Sequence, residues 1–221
     1  GFGGFEGVIK GKSELYDFLR NNNRTAFVNF NDPIQVEKTN NINRITFSDQ
    51  HNATIQVDLI KQKQEFLAVQ FQDLTIQSHL TGNYNFSNIS CAIAIGTHFG
   101  IDAKTIQHGI EQYIPSNHRS QIINKEHYKI VMDAYNANPS SMEAALNNFA
   151  KFDGTKTIII GDMFELGDES EAEHQDIVEL AEKLNFDHIF ILGHHFKTTK
   201  TNHPHVMKFD DRISFEHYIK N

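Results

Sequence analysis

The spacing of apolar positions changes character along the chain. In residues 6–20, Val8, Leu15 and Leu19 fall on one helical face, and Lys12 falls on that same face. From 26 to 80 the pattern is that of strands. Residues 25–30 are apolar and close with a turn at Asn31-Asp32-Pro33, and 54–60 alternate at period two. Residues 66–71 and 74–78 read as a hairpin around Gln72-Asp73. This stretch is read as half-solvated antiparallel sheet with an architectural role. Helices are predicted over 85–99, packed through Phe86, Ile89, Ile93 and Phe99, and over about 102–113, ending near Pro115. Beyond 121, strand and helix alternate. Strands are predicted near 128–133, 157–161, 188–193 and 205–209, with helices near 139–151, 169–184 and 212–220. Ile177, Leu180, Ala181 and Leu184 make the apolar face of the second of these helices. Such alternation implies a parallel sheet with right-handed crossovers.

Composition narrows the class. A hydrophobic content of 39% and a charged content of 22% suit a soluble globular protein. No run of about 18 apolar residues exists, so no membrane span is expected. The start, Gly1-Phe2-Gly3-Gly4-Phe5-Glu6, lacks the basic flank and long apolar run of a signal peptide. It also lacks an initiator Met, so a fragment or processed product is expected. The single cysteine, Cys91, fits a reducing cytosol and sits in an apolar segment as a packing residue. A net charge of −8 argues against nucleic-acid binding. The 13 histidines are scattered, and His194-His195 lacks the i, i+4 spacing of a zinc helix.

Candidate chemistry concentrates where a predicted strand hands over to a helix. Asn138 is a good N-cap and Pro139 a good first helical residue. The polar loop with Asp133, Tyr135, Asn136 and Asn138 therefore lies at a strand end, where open α/β sheets bind ligands. Read alone, the asparagines need only make a turn and a cap. A second strand end at Gly161-Asp162 carries Asp162, Glu165 and Asp168, which read alone as a solvated acidic loop. Asn83, Asn85 and Asn88 open the helix at 85–99, as ligands or as loop and cap residues. Gly11-Lys12-Ser13 mimics the end of a phosphate-binding loop, but Glu6 stands where its first Gly belongs and no strand precedes it. Lys12, on an apolar stripe, either snorkels to water or gives up part of its charge to burial.

Asp133-Ala134-Tyr135-Asn136-Ala137-Asn138-Pro139, followed by Ser141-Met142 and Ala144-Ala145-Leu146, resembles a signature of the Mur ligases. The likeness continues in Gly161-Asp162-Met163-Phe164-Glu165-Leu166-Gly167 and His174. Upstream, Gly82-Asn83-Tyr84-Asn85-Phe86-Ser87-Asn88 resembles the family's G-x-H-N-x-x-N segment, with Tyr84 where the family has His. Ser116-Asn117-His118-Arg119-Ser120 resembles the interdomain hinge, with His118 in place of the usual Gly.

The resemblance implies an α/β chain in two pieces. Residues 1–116 would be the C-terminal part of the ATP-binding central domain, with antiparallel strands and helices. Residues 117–221 would be a Rossmann-like, mostly parallel C-terminal domain. It implies a ligase that uses ATP and Mg2+ to add D-alanyl-D-alanine to UDP-N-acetylmuramoyl tripeptide, in a monomeric bacterial cytoplasmic enzyme of cell-wall synthesis. Lys12, in the family's A-K-x-E-I position, would carry a carbamate that supports the metal, with Lys10 the alternative in a shifted register. Asn88 would contact adenine, Arg119 phosphate or ribose, and Asp133 the ribose or hinge. Tyr135, Asn136 and Asn138 would line the dipeptide side of the cleft. The family's G-K-[ST] loop, UDP-sugar domain and final strand have no counterpart in the sequence, so a truncated ligase, inactive alone, is expected. A sister ligase taking a single amino acid, or a non-catalytic nucleotide-binding module, are the alternatives.

Overall fold

A computed structural model describes residues 4–61, 65–116 and 118–220. The chain divides into two compact units, Phe2–Pro115 and Ser116–Asn221. Gly1, Phe2 and Gly3 of the start, and Asn117 of the hinge-like stretch, lie outside the described residues.

The first unit opens with helix α1 (Gly4–Asn21), strand β1 (Thr25–Asn29), helix α2 (Pro33–Lys38) and strand β2 (Asn43–Ser48). The predicted turn at Asn31-Asp32-Pro33 is the start of α2. Asp32 caps that helix by accepting from the Ile34 and Gln35 amides at 3.0 Å, and Pro33 fills its first turn. Because α2 carries the chain back across, β1 and β2 pair in parallel, with Phe27 opposite Ile45. β3 (Ile55–Gln56) extends that parallel sheet, so the antiparallel reading does not hold for its three strands. It holds for the next three: β4 (Asp58–Ile60), β5 (Ala68–Phe71) and β6 (Leu74–Gln77) form an antiparallel meander. The single strand predicted over 54–60 is thus shared between two sheets.

Helices α3 (Phe86–His98) and α4 (Ala103–Gln112) complete this unit. Ile89 and Ile93 of α3, with Ile106 of α4, enter a core containing Val57, Val69, Phe71 and Ile76. Each such side chain contributes roughly 1.5–3 kcal/mol by leaving water. Phe99 does not join them. It is the C-cap of α3, beyond the last helical turn, and is 73% exposed.

The second unit begins with an antiparallel pair, β7 (Gln121–Asn124) and β8 (Lys129–Met132), in which Ile122 faces Val131. Helix α5 (Pro139–Phe149) follows, then β9 (Thr157–Gly161), α6 (Ser170–Lys183), β10 (His188–Leu192), α7 (His194–Thr198), β11 (Val206–Phe209) and α8 (Arg212–Lys220). The last three strands form a parallel sheet, in the order β11-β10-β9, as expected; β8, expected in the same parallel sheet, pairs antiparallel with β7 because a short turn rather than a helix joins those two strands. Ile158, Ile160, Ile189 and Ile191 point to one face, where Leu146 of α5 and Ile177, Val178 and Ala181 of α6 cover them. On the other face the Phe190 ring packs at a tilt against Phe215 and Tyr218 of α8, while Ile159 stays 57% exposed.

Candidate functional site

In the second unit a groove of about 480 Å³ lies at the C-terminal ends of β8 and β9. Its walls are the loop after β8 (Asp133, Tyr135, Asn136), the buried side of α5 (Met142, Ala145) and the loop after β9 (Asp162, Phe164). The end of β8 from the antiparallel pair, the end of β9 from the parallel sheet and the start of α5 converge there, and the carboxyl ends of parallel strands are where open α/β sheets bind ligands.

The first wall is fixed by local backbone bonds. The Ala134 amide donates to the His118 carbonyl at 2.8 Å, and the Ser120 amide donates to Asp133 Oδ1 at 3.4 Å. His118 and Ser120 both have positive φ, 58° and 51°, so the chain folds back on each side of Arg119. A left-handed conformation at His118 explains why Gly suits that place. Arg119 is thereby presented over the Tyr135 ring, with its Cζ 3.8 Å from the ring centroid. Two residues to which sequence reasoning gave separate roles therefore form one exposed stack.

Asn138 is a helix cap. Its Oδ1 accepts from the Ser141 amide at 2.9 Å, while the Ser141 hydroxyl accepts from the Asn138 amide at 3.2 Å. This capping box satisfies two of the orphan donors at the start of α5. Asn138 does not line the groove, whereas Tyr135 and Asn136 do. Asn136 Oδ1 accepts from the amide of Ala137 at 2.9 Å, which shapes the loop.

The second wall is not a solvated acidic loop throughout. Asp162 turns its carboxylate into the start of α7, where it accepts from the His195 and Phe196 amides at 3.1 and 3.0 Å. Gly193, with φ of 121°, lets it do so, because a Cβ there would stand 2.4 Å from the Asp162 carboxylate. His174 of α6 is fully buried, and its Nε2 accepts from the Met163 amide at 3.0 Å. Glu165 and Asp168 remain exposed. Sequence reasoning left out Phe164 and the α5 residues Met142 and Ala145 as groove lining. The only sequence signal for Phe164 was its place inside the 161–167 motif.

In the first unit, Asn88 lies on the first turn of α3 and donates its amide to Asn85 Oδ1 at 2.9 Å. Asn85 is buried and in turn donates to the Thr81 carbonyl at 2.9 Å. Lys12 on α1 is exposed, and α1 has no buried residue. Of the two readings of Lys12, snorkelling to water is the one its exposure fits: Leu15 on the same face is 59% exposed as well, while Val8 and Leu19 are half-buried. Among the described residues no group of three or more His, Cys, Asp or Glu is arranged to hold a metal ion. Nor is any helix among them long and apolar enough to cross a membrane.

Comparison with known proteins bears on both units. Residues 1–96 match the Mur ligase middle domain, and residues 118–210 match the Mur ligase glutamate ligase domain. The UDP-N-acetylmuramoyl-tripeptide–D-alanyl-D-alanine ligase of Treponema pallidum is 30% identical over 69% of this chain and 33% of its own length. The ligase of the same name from Bacillus subtilis is 26% identical over 86% of this chain and 42% of its own. A crystal structure of MurF from Acinetobacter baumannii superposes on all of this chain and 49% of that one, with a TM-score of 0.83 and 26% identity. The chain thus spans less than half the length of each of these three relatives. With both domain matches in family order along one polypeptide, the chain belongs to the Mur ligase family.

Proposed function

We propose that the full-length protein is an ATP-dependent amide ligase that joins D-alanyl-D-alanine to the UDP-N-acetylmuramoyl tripeptide in peptidoglycan synthesis. The observation that carries this is the groove at the ends of β8 and β9, formed by the motif residues Asp133, Tyr135, Asn136 and Asp162. Its lining mixes apolar side chains, among them Ala137, Ala145, Met142 and Phe164, with the polar groups of Asp133, Asn136 and Asp162, a combination that suits a short peptide with small apolar side chains. Relatives bearing that ligase name support the choice of substrates.

In this reading the terminal carboxylate of the tripeptide takes the γ-phosphoryl group of ATP, and ADP leaves. The dipeptide amine attacks the acyl phosphate carbon, inorganic phosphate departs and the amine proton is lost. Arg119, a permanent forked cation, holds phosphate or ribose oxygens, and Asn88 accepts from the adenine amino group. Asp133 orients the 118–120 turn and with it Arg119. Tyr135 and Asn136 face the incoming amine, and Asn138 supports them by starting α5. Lys12, once its neutral amine had taken up carbon dioxide as a carbamate, would supply an oxygen ligand of the kind magnesium prefers. Residues 1–116 and 117–221 act as the nucleotide and amine domains.

The test is phosphate release from ATP by the full-length protein, with UDP-muramoyl tripeptide and either D-alanyl-D-alanine or single amino acids as amine. Release with the dipeptide alone is expected. Release only with a single amino acid would move the protein to a sister ligase. No release with any amine would leave a non-catalytic nucleotide-binding module.

A further inference from the structure

Among the described residues of the second unit His174 is the one fully buried histidine, and both of its ring nitrogens are engaged. Nε2 accepts from the Met163 amide at 3.0 Å, so it carries a lone pair. Nδ1 lies 2.6 Å from the Ser170 carbonyl oxygen, an acceptor, so Nδ1 carries the proton. The ring is wedged against α7 as well, edge-on to Phe196 at 4.6 Å and tilted to His195 at 5.2 Å. One side chain thus ties α6 and α7 to the backbone of the loop after β9. Beside this tie, Asp162 fixes the previous residue of the loop to the amides of α7.

The tied loop is a wall of the groove, since Asp162 and Phe164 flank Met163 and both line it. Met163 points inward, 1% exposed, while Phe164 points outward, 72% exposed. Alternation about a pinned Met163 amide is what sets Phe164 on the groove side. We propose that His174, as its Nδ1–H tautomer, is a positioning residue that locks this wall and so sets where the incoming amine sits. The functional half of the proposal rests on the groove being the amine site. The structural half does not.

Two measurements on the 221-residue chain need no substrate. Long-range nitrogen–proton correlation spectra should show His174 protonated at Nδ1 and bare at Nε2. The opposite tautomer, or a proton on both nitrogens, would overturn the proposal. Exchange of the Met163 amide then reads the tie itself. His174→Gln places an oxygen near Nε2 and should keep the protection of that amide. His174→Asn keeps only the donor toward Ser170 and should speed its exchange about tenfold, as loss of one hydrogen bond predicts. Equal exchange in the two variants would refute the tie. In the full-length protein His174→Asn should raise KM for the amine several-fold more than it lowers kcat, with rescue by Gln. Intact tautomer and exchange results with an unchanged amine KM would refute the positioning role in the groove and leave the tie standing.

Discussion

Replacing Asn138 separates a cap from a ligand. The Asn138 Oδ1 accepts both the Ser141 amide and the Ser140 hydroxyl at 2.9 Å, while among the described residues its Nδ2 has no partner. Asn138→Ala removes the acceptor and leaves the first turn of α5 with an orphan donor, which costs about 1 kcal/mol. In a unit the size of Ser116–Asn221 that corresponds to a fall in Tm of roughly 4 °C. Asn138→Asp keeps the oxygen, adds a charge favourable at a helix start, and should hold Tm or raise it slightly. Thermal unfolding followed by circular dichroism reads both variants, and the amine KM of the full-length protein reads function. If Asn138 acts only through the helix, Asp is silent in both assays. A stable Asp variant with a much higher amine KM would refute the cap reading and give Nδ2 a substrate. An Ala variant as stable as the parent would refute the energetic argument itself.

Three further outcomes follow from the geometry. Gly193→Ala should destabilise the second unit by about 2–4 kcal/mol, measured by urea unfolding, because it combines a strained φ with displacement of Asp162 from the α7 amides. Burial pushes the Cys91 thiol pKa up, so less thiolate is present at any given pH. Its alkylation by iodoacetamide should be slower than that of a free thiol at neutral pH and should approach the free rate only in unfolded chain. Lys12→Ala should leave the Tm of the chain within about 1 °C, since the side chain is exposed on a helix with no buried residue, while abolishing ligation in the full-length protein. Undiminished ligation would remove Lys12 from the machinery.

Long periodic segments were legible from sequence because their burial is one-sided. Strand β9 and helix α8 fall where the pattern puts them, and the parallel order of β9 to β11 follows from the alternation. Short elements were not. Six residues of α2 and five of α7 are too few to show a helical period, and Pro33 signals a turn and a helix start equally well. The α6 face was only partly visible, because a buried His174 looks polar until its two partners are known. Among site residues, the cap at Asn138 was written in the N-P pair, but the Arg119–Tyr135 stack was not. It depends on two left-handed residues, neither of them Gly, that fold the 118–120 segment beside the loop after β8.

The division of residues 54–60 between two sheets bears on how the first unit comes apart. Ile55 and Gln56 belong to the parallel sheet and Asp58 to Ile60 to the meander, with only Val57 between them. Val57 is fully buried, and its amide donates to the Ser48 carbonyl at 2.9 Å. A joint of one residue has no slack, so neither sheet can peel from the core without pulling on the edge of the other. The two sheets should therefore behave as one cooperative block. The slowest amides of β1 and β5 should exchange with a common free energy and respond alike to denaturant, as members of a single foldon.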